Sequence, residues 1–247
     1  MEECNLDRAI SELDEYRLES VSTREESIEP PLSGGWIGVL AYTMLLVVVA
    51  FLAQRNALGV DWFERGRTEA GSMLAGEGWR AVTALTLHID GSHLLGNLLF
   101  GSILGLLATQ ALGVGVTWLA IVVGGILGNV ANAFLQPATH SSIGASTAVF
   151  AALGLLVALA LVHSRHRRVG AWKLGPLVAG ALLLAWTGIG GERTDVLAHV
   201  TGLISGLMIG VACGFVPRNQ LERPLVQSVA LGLTAGLIVV AWGLALG

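Results

Sequence analysis

Apolar residues along this chain gather in long blocks and do not alternate with polar ones. The blocks lie near 36–53, 92–110, 113–135, 144–163, 172–189, 195–215 and 225–246, each close to the ~20 residues with which a helix crosses a hydrocarbon core. None has the two-residue period of an outer-membrane barrel strand. The pattern predicts an all-α polytopic membrane protein with seven spans. Three short polar clusters interrupt it: His93-x-x-x-Asn97, Gly144-Ala145-Ser146-Thr147, and Ala198-His199-x-x-Gly202-x-x-x-Gly206. Strongly polar side chains inside membrane spans are costly to bury, so such clusters mark functional sites.

Composition agrees with this class. Hydrophobic residues make up 53% of the chain and charged ones 13%, against about 25% charged in soluble domains, and the mean hydropathy is +0.70. The charge is unevenly placed: the first 30 residues hold ten acidic residues and three arginines, net −7, leaving +3 for the rest of a chain whose total is −4. Leu6, Ala9, Ile10, Leu13 and Tyr16 fall at helical spacing, but the segment reads as a solvated acidic tail over residues 1–35. It lacks the basic stretch followed by an apolar one that defines a signal peptide, so the first span is expected to direct insertion. Cys4 and Cys213 offer neither a disulfide framework nor paired metal ligands.

The densest basic segment, Arg165 to Lys173, is expected on the cytoplasmic side by the positive-inside rule. Counting spans from it places the N-terminus inside, the 54–91 loop outside, and the Pro217–Pro224 link with Arg218 and Arg223 inside. The second, fourth and sixth spans then all begin at the outer face. His93 and Asn97, Ser146, and His199 sit in their first turns, ~5–10 Å deep at 1.5 Å per residue. Three distant segments thus reach one layer of the membrane.

The chemistry of that layer is hydrolytic. His93 and Asn97 are i and i+4 and project from one helix face. Ser146 needs a base to attack a carbonyl, and His199 suits the role because imidazole titrates near neutral pH and can return the proton to a leaving amine. Close approach of the two helices requires small residues, which Ala198, Gly202 and Gly206 supply on one span and Ala148, Ala151 and Ala152 on the other. Asp195, i−4 to His199, reads as a helix N-cap and not as a third catalytic group.

On these residues the chain resembles the rhomboid intramembrane serine proteases, from about Trp36 to Phe215. Gly144-Ala145-Ser146 matches the family's Gly-x-Ser motif at the nucleophile. His199 with Gly202 and Gly206 matches its catalytic histidine and spaced glycines, His93 and Asn97 its oxyanion-hole pair, and Trp79-Arg80 its Trp-Arg signature in the first outer loop. Thr147 departs from the glycine many members carry after the serine, and a β-branched residue there adds bulk and restricts the backbone. The resemblance implies a Ser146–His199 dyad acting through an acyl-enzyme, with the oxyanion held by the Ser146 N–H and the His93 and Asn97 side chains. It implies a six-helix core over 36–216, with 217–247 forming a linker and an additional seventh helix, and Gly144, Gly202, Gly206, Trp79 and Arg80 supporting the site. Substrates would be single-span transmembrane proteins cleaved in the bilayer of the plasma membrane, at a site open to the outer face.

Other polar residues receive structural readings. His88 and His93 lack the His-Glu-x-x-His pattern, so no metal is expected, and no cofactor is called for. His88 is expected to be a hydrogen-bonding residue near the site, His140 to lie in an outer loop, and His163 and His166 to join the basic loop. Asn129 and Asn132 are expected to bond between helices. Gly124, Gly125 and Gly128 read as packing positions, since no strand precedes them as in a phosphate loop, and neither nucleotide nor nucleic acid is expected. Trp62, Phe63, Met73, Leu74 and Trp79 suggest an interfacial outer loop, and Trp186 a belt residue. The competing function is a non-catalytic membrane protein that binds transmembrane segments. A transporter would show broken helices or an internal repeat, and neither is present.

Overall fold

The computed structural model describes residues 10–15, 32, 34–163 and 195–247. The predicted fifth span at 172–189, the basic Arg165–Lys173 segment, His166, Trp186 and the His163 side chain lie outside them. The chain divides into Met1–Pro31 and Leu32–Gly247. In the first unit, residues 10–15 are helical and exposed.

The second unit is built from helices: α1 (Gly35–Gln54), α2 (Trp62–Gly66), α3 (Ala70–Leu74), α4 (Arg80–Thr83), α5 (Gly91–Leu112), α6 (Val114–Leu135), α7 (Ser146–His163), α8 (Val196–Gly214), α9 (Arg218–Leu221) and α10 (Pro224–Leu246). Among the described residues, α1, α5, α6, α8 and α10 are long and apolar enough to cross a membrane. The predicted spans outside 172–189 all coincide with helices, because a helix alone satisfies every backbone group within its own segment in lipid. This is a multi-pass, all-α membrane protein.

Lipid-facing and protein-facing positions separate cleanly. Leu40, Met44, Val47, Val48 and Phe51 of α1 and Leu225, Val229, Leu233, Val239 and Val240 of α10 are exposed, as expected for side chains whose solvent is hydrocarbon. Helix α7 is the opposite: Val149–Leu153, Leu155 and Val157–Leu159 are buried. The main core packs Phe150, Leu153 and Leu155 with Leu104, Leu112, Trp118 and Ile121 of α5 and α6.

The loop between α1 and α5 is a folded layer. Arg80, 8% exposed, donates through Nη1 to the carbonyls of Glu64 and Arg67, 2.9 Å each, and through Nε to Glu77. Trp62 and Met73, predicted at the interface, are instead buried, and Leu58, Leu74 and Ile89 are the loop's exposed large apolar residues. A two-residue strand β1 (Thr68–Glu69) pairs antiparallel with β2 (Ser141–Ser142), Thr68 opposite Ser142. Gly71 N–H adds a bond to Ala138 O at 2.9 Å. This layer is therefore tied to the segment that leads into α7.

Helix α10 is fastened at its start by Gln227. Its Oε1 accepts from Gly115 N–H (2.7 Å) and Val116 N–H (3.2 Å), and its Nε2 donates to Leu112 O (2.9 Å) and Leu221 O (2.7 Å). One amide thus satisfies the last turn of α5 and the first turn of α6, groups that helix ends leave unpaired. The two helices are joined by Gly113 alone, at φ +78, where any side chain would meet Gln227. Gln227→Leu should destabilise the protein by about 2–3 kcal/mol through the unpaired groups it leaves, read as a lower thermal unfolding midpoint in detergent, whereas the nearby exposed Leu225→Ala should change it little.

Candidate active site

The segment before α7 is held from two sides. Gly144 N–H donates to Ala84 O at 2.9 Å, and Ala145 N–H points to His88 Nε2 at 3.4 Å. Gly144 has φ +130, and a Cβ on it would lie 2.6 Å from His93 Cε1 and Nε2 and 3.7 Å from Asn97 Nδ2. Glycine is required there twice, for the backbone conformation and for the approach of the imidazole. Ser146 follows as the first residue of α7, half-buried.

His93 and Asn97 descend one face of α5, whose start is fixed by Asp90: its Oδ1 caps His93 N–H at 2.8 Å and accepts from Ser92 Oγ at 2.6 Å. Those bonds to Ser92 and His93 hold the exposed Asp90 carboxyl below its ordinary pKa. Tyr42 of α1 donates to Asn97 O at 2.7 Å. Asn97 is 6% exposed, and its Nδ2 has no hydrogen-bond partner among the described residues. His88 lies edge-on to His93, ring centroids 5.1 Å apart. Burial, reinforced by His93, pushes His88 down to about 4, so it is neutral at pH 7 and Nε2 can accept from Ala145.

His199 stands on α8, 4% exposed, and stacks on Phe150 with centroids 4.4 Å apart and planes at 22°. The helix that carries it touches α7 backbone to backbone. A side chain at Gly202 would overlap Thr147 O, one at Gly206 would overlap Ala151 O, and one at Gly154 would overlap Leu203 O. Thr147 fits here despite its bulk: it is 4% exposed, with its methyl in the groove between Gly128 of α6 and Gly202 of α8. Gly124 and Gly125 face Ala151 and Ala148, so the glycines of α6 are packing positions.

Asp195 caps α8, accepting from Ala198 N–H at 3.0 Å, while its other oxygen takes Asn132 Nδ2 and His140 Nε2, both at 2.7 Å. Burial pushes its carboxyl up, but the bonds from His140, Ala198 and Asn132 outweigh that and hold it below its usual value. Its oxygens are committed to these partners, in keeping with a cap. Asn129 and Asn132 both bond between helical elements as expected, Asn129 donating to Ala81 O of α4 at 2.9 Å and Asn132 to the cap of α8.

A cavity of about 980 Å³ collects these groups: Ser146, His199, His93, Asn97 and Gly144 line it, together with Phe150. Gly202 and Gly206 stand behind it on the α7–α8 contact, and Trp79 and Arg80 do not line it but support residues that do, Arg80 through the Arg67 carbonyl and Trp79 in the cluster of Phe63 and Ile143. Phe150 was missed by the sequence reading, although its place one turn after Ser146 was a usable signal. Phe63, read from sequence only as interfacial, is also on the wall, as are Arg67, Ser141 and Ser142, which carried no signal. Among the described residues no group of three or more His, Cys, Asp or Glu is placed to hold a metal.

A helix-built cavity of this kind, framed by glycine contacts below the starts of α5, α7 and α8, defines a class of polytopic membrane protein. The Rhomboid domain family model matches residues 75–215, more than half of the chain, and the chain belongs to the rhomboid family. It is 29% identical over 168 residues to rhomboid protease GluP of Bacillus subtilis (strain 168), covering 67% of this chain and 32% of that protein. It is 32% identical over 144 residues to Rhomboid-like protease 2 of Toxoplasma gondii, covering 55% and 48%, and 27% identical over 148 residues to Rhomboid-related protein 2 of Mus musculus, covering 54% and 47%. The chain spans about a third of GluP's length and about half that of the other two.

Two outcomes follow from the packing and the protonation states. Gly206→Ala should lose at least ~1–3 kcal/mol from overpacking, seen as a lower unfolding midpoint and a reduced folded yield. Because folded His88 titrates near 4 and unfolded histidine near ~6.5, the unfolded chain takes up a proton first on acidification. Its contribution to stability is complete above ~6.5 and is lost as pH falls towards about 4, and His88→Gln should flatten the acid limb of a midpoint-against-pH curve.

Proposed function

We propose that this protein is an intramembrane serine endopeptidase, with residues 36–216 as its proteolytic core. The observation that carries the reading is the shared cavity: Ser146, His199, His93 and Asn97 come from three helices and line one space. The rhomboid relatives named as proteases support it.

In this reading His199 takes the Ser146 proton as Oγ attacks a substrate carbonyl. The tetrahedral oxyanion forms beside the Asn97 amide and the His93 ring, which Gly144 brings to the nucleophile's own segment. The Ser146 N–H, in the first turn of α7 where no intrahelical acceptor exists, is the third donor. Collapse of the intermediate expels the new amino terminus, which receives its proton from His199, and leaves an acyl-enzyme. Water then attacks the ester with His199 again as base, releasing the carboxyl product and restoring Ser146. Asp195 stays outside this dyad, since its oxygens hold Ala198, Asn132 and His140.

Substrates of this activity are single-span membrane proteins whose helix unwinds locally, because a regular helix keeps its carbonyls bonded and closed to attack. The orientation that accompanies it has the N-terminus in the cytoplasm and the cavity open to the outer face of the plasma membrane; the basic residues of the 165–173 and 217–224 links support it, against four arginines in the 54–91 loop.

Purified protein incubated in detergent with a fluorogenic single-span substrate should cleave it, and Ser146→Ala and His199→Ala should each reduce cleavage to background. Asn97→Ala should lower kcat by roughly 10²–10³ while leaving KM within a few-fold. Cleavage that survives Ser146→Ala would discard the mechanism.

A further inference from the structure

The end of α10 reaches the site from behind. Trp242 is 8% exposed, its ring lies 4.6 Å from Trp62 between centroids, and it packs so closely on Gly66 that a Cβ there would be 2.7 Å from Trp242 Cη2. Its indole N–H donates to Thr86 Oγ1 at 3.1 Å, a buried bond linking residues 156 apart in sequence. Thr86 Oγ1 in turn donates to Thr83 O at 2.8 Å, and Thr83 Oγ1 donates to Gly66 O at 2.7 Å. The hydroxyl of Thr86 is thereby fixed in orientation, accepting from one side and donating to the other.

Thr86 lies in the middle of the segment 84–88, whose two flanks grip the approach to the nucleophile. Ala84 O receives Gly144 N–H at 2.9 Å, and His88 Nε2 receives Ala145 N–H at 3.4 Å. Leu87 between them is fully buried in the cluster that contains Trp242 and Ala245. Most of α10 is exposed on its apolar face, and of the buried residues in its second half Trp242 and Ala245 pack in the cluster of Leu87.

We infer that Trp242 is a positioning residue for the proposed protease: through Thr86 it sets the 84–88 segment that holds Gly144 and Ala145, and so aims Ser146. The seventh helix is then part of the catalytic apparatus and not merely an additional anchor. The kinetic side of this inference rests on the protease reading above, and the structural side does not.

The test uses the full-length protein with Trp242→Phe, which keeps an aromatic ring and removes the donor, Thr86→Val, which removes the acceptor, and Thr86→Ser, which restores it. Amide hydrogen exchange should quicken at 84–88 and 143–146 in Trp242→Phe and Thr86→Val and stay near wild type in Thr86→Ser. With the fluorogenic substrate, kcat should fall roughly tenfold in the first two, as expected for a small displacement of a reacting group, with KM within twofold, and should recover in Thr86→Ser. Unchanged exchange at 143–146 in Trp242→Phe overturns the inference, as does quickened exchange there with an unchanged kcat. A wild type that cleaves nothing and whose Ser146 resists a fluorophosphonate refutes the protease reading, and hydrogen exchange alone then decides whether α10 orders the segment.

Discussion

Everything at the site depends on two helices meeting with almost nothing between them. In lipid, helices gain no hydrophobic drive to associate, because the surrounding chains are as apolar as leucine, so close van der Waals contact between backbones must supply it. Gly154, Gly202 and Gly206 remove the side chains that would keep α7 and α8 apart, and each sits against a carbonyl of the facing helix. The placing of a serine on one helix and a histidine on the other along one cavity wall follows from this contact. Thr147 shows how tightly the geometry is drawn, since its methyl occupies a groove that exists only because Gly128 and Gly202 have none.

The polar groups of the interior are divided between construction and chemistry. Asn129, Asn132, Thr83, Thr86 and Tyr42 all donate to backbone carbonyls or to Asp195, tying helices to one another and to the loop layer. Asn97 Nδ2 and His199 Nδ1 are buried without a partner among the described residues, and both belong to residues that line the cavity. A buried donor left open is expensive, and on the proposed mechanism the Asn97 amide finds its acceptor in the oxyanion.

The described spans were legible because helix length in a bilayer is dictated by its thickness, and the sharing of one cavity by His93, Asn97, Ser146 and His199 was legible because each sits within the first turns of an apolar helix. What stayed hidden has a common cause in short range and long separation. The β1–β2 pair is two residues long, too short to leave a period in the sequence. Trp242 and Thr86 are bonded across most of the chain, and no local pattern announces it. Trp62, in the loop between α1 and α5, was misjudged for a related reason: it has the character of an interfacial residue, but Trp242 arrives from another helix to cover it.

Helix α7 is sheathed by protein along almost its whole length, while α1 and α10 present wide apolar faces outward. The depth of Ser146 is accordingly referenced to its neighbouring helices and not to the thickness of the bilayer around them. A thinner or thicker membrane would leave the serine where it is and slide a lipid-anchored guest helix past it, so that on the proposed activity the enclosed helix serves as a fixed ruler and the bilayer selects which bond of the guest is brought to the mark.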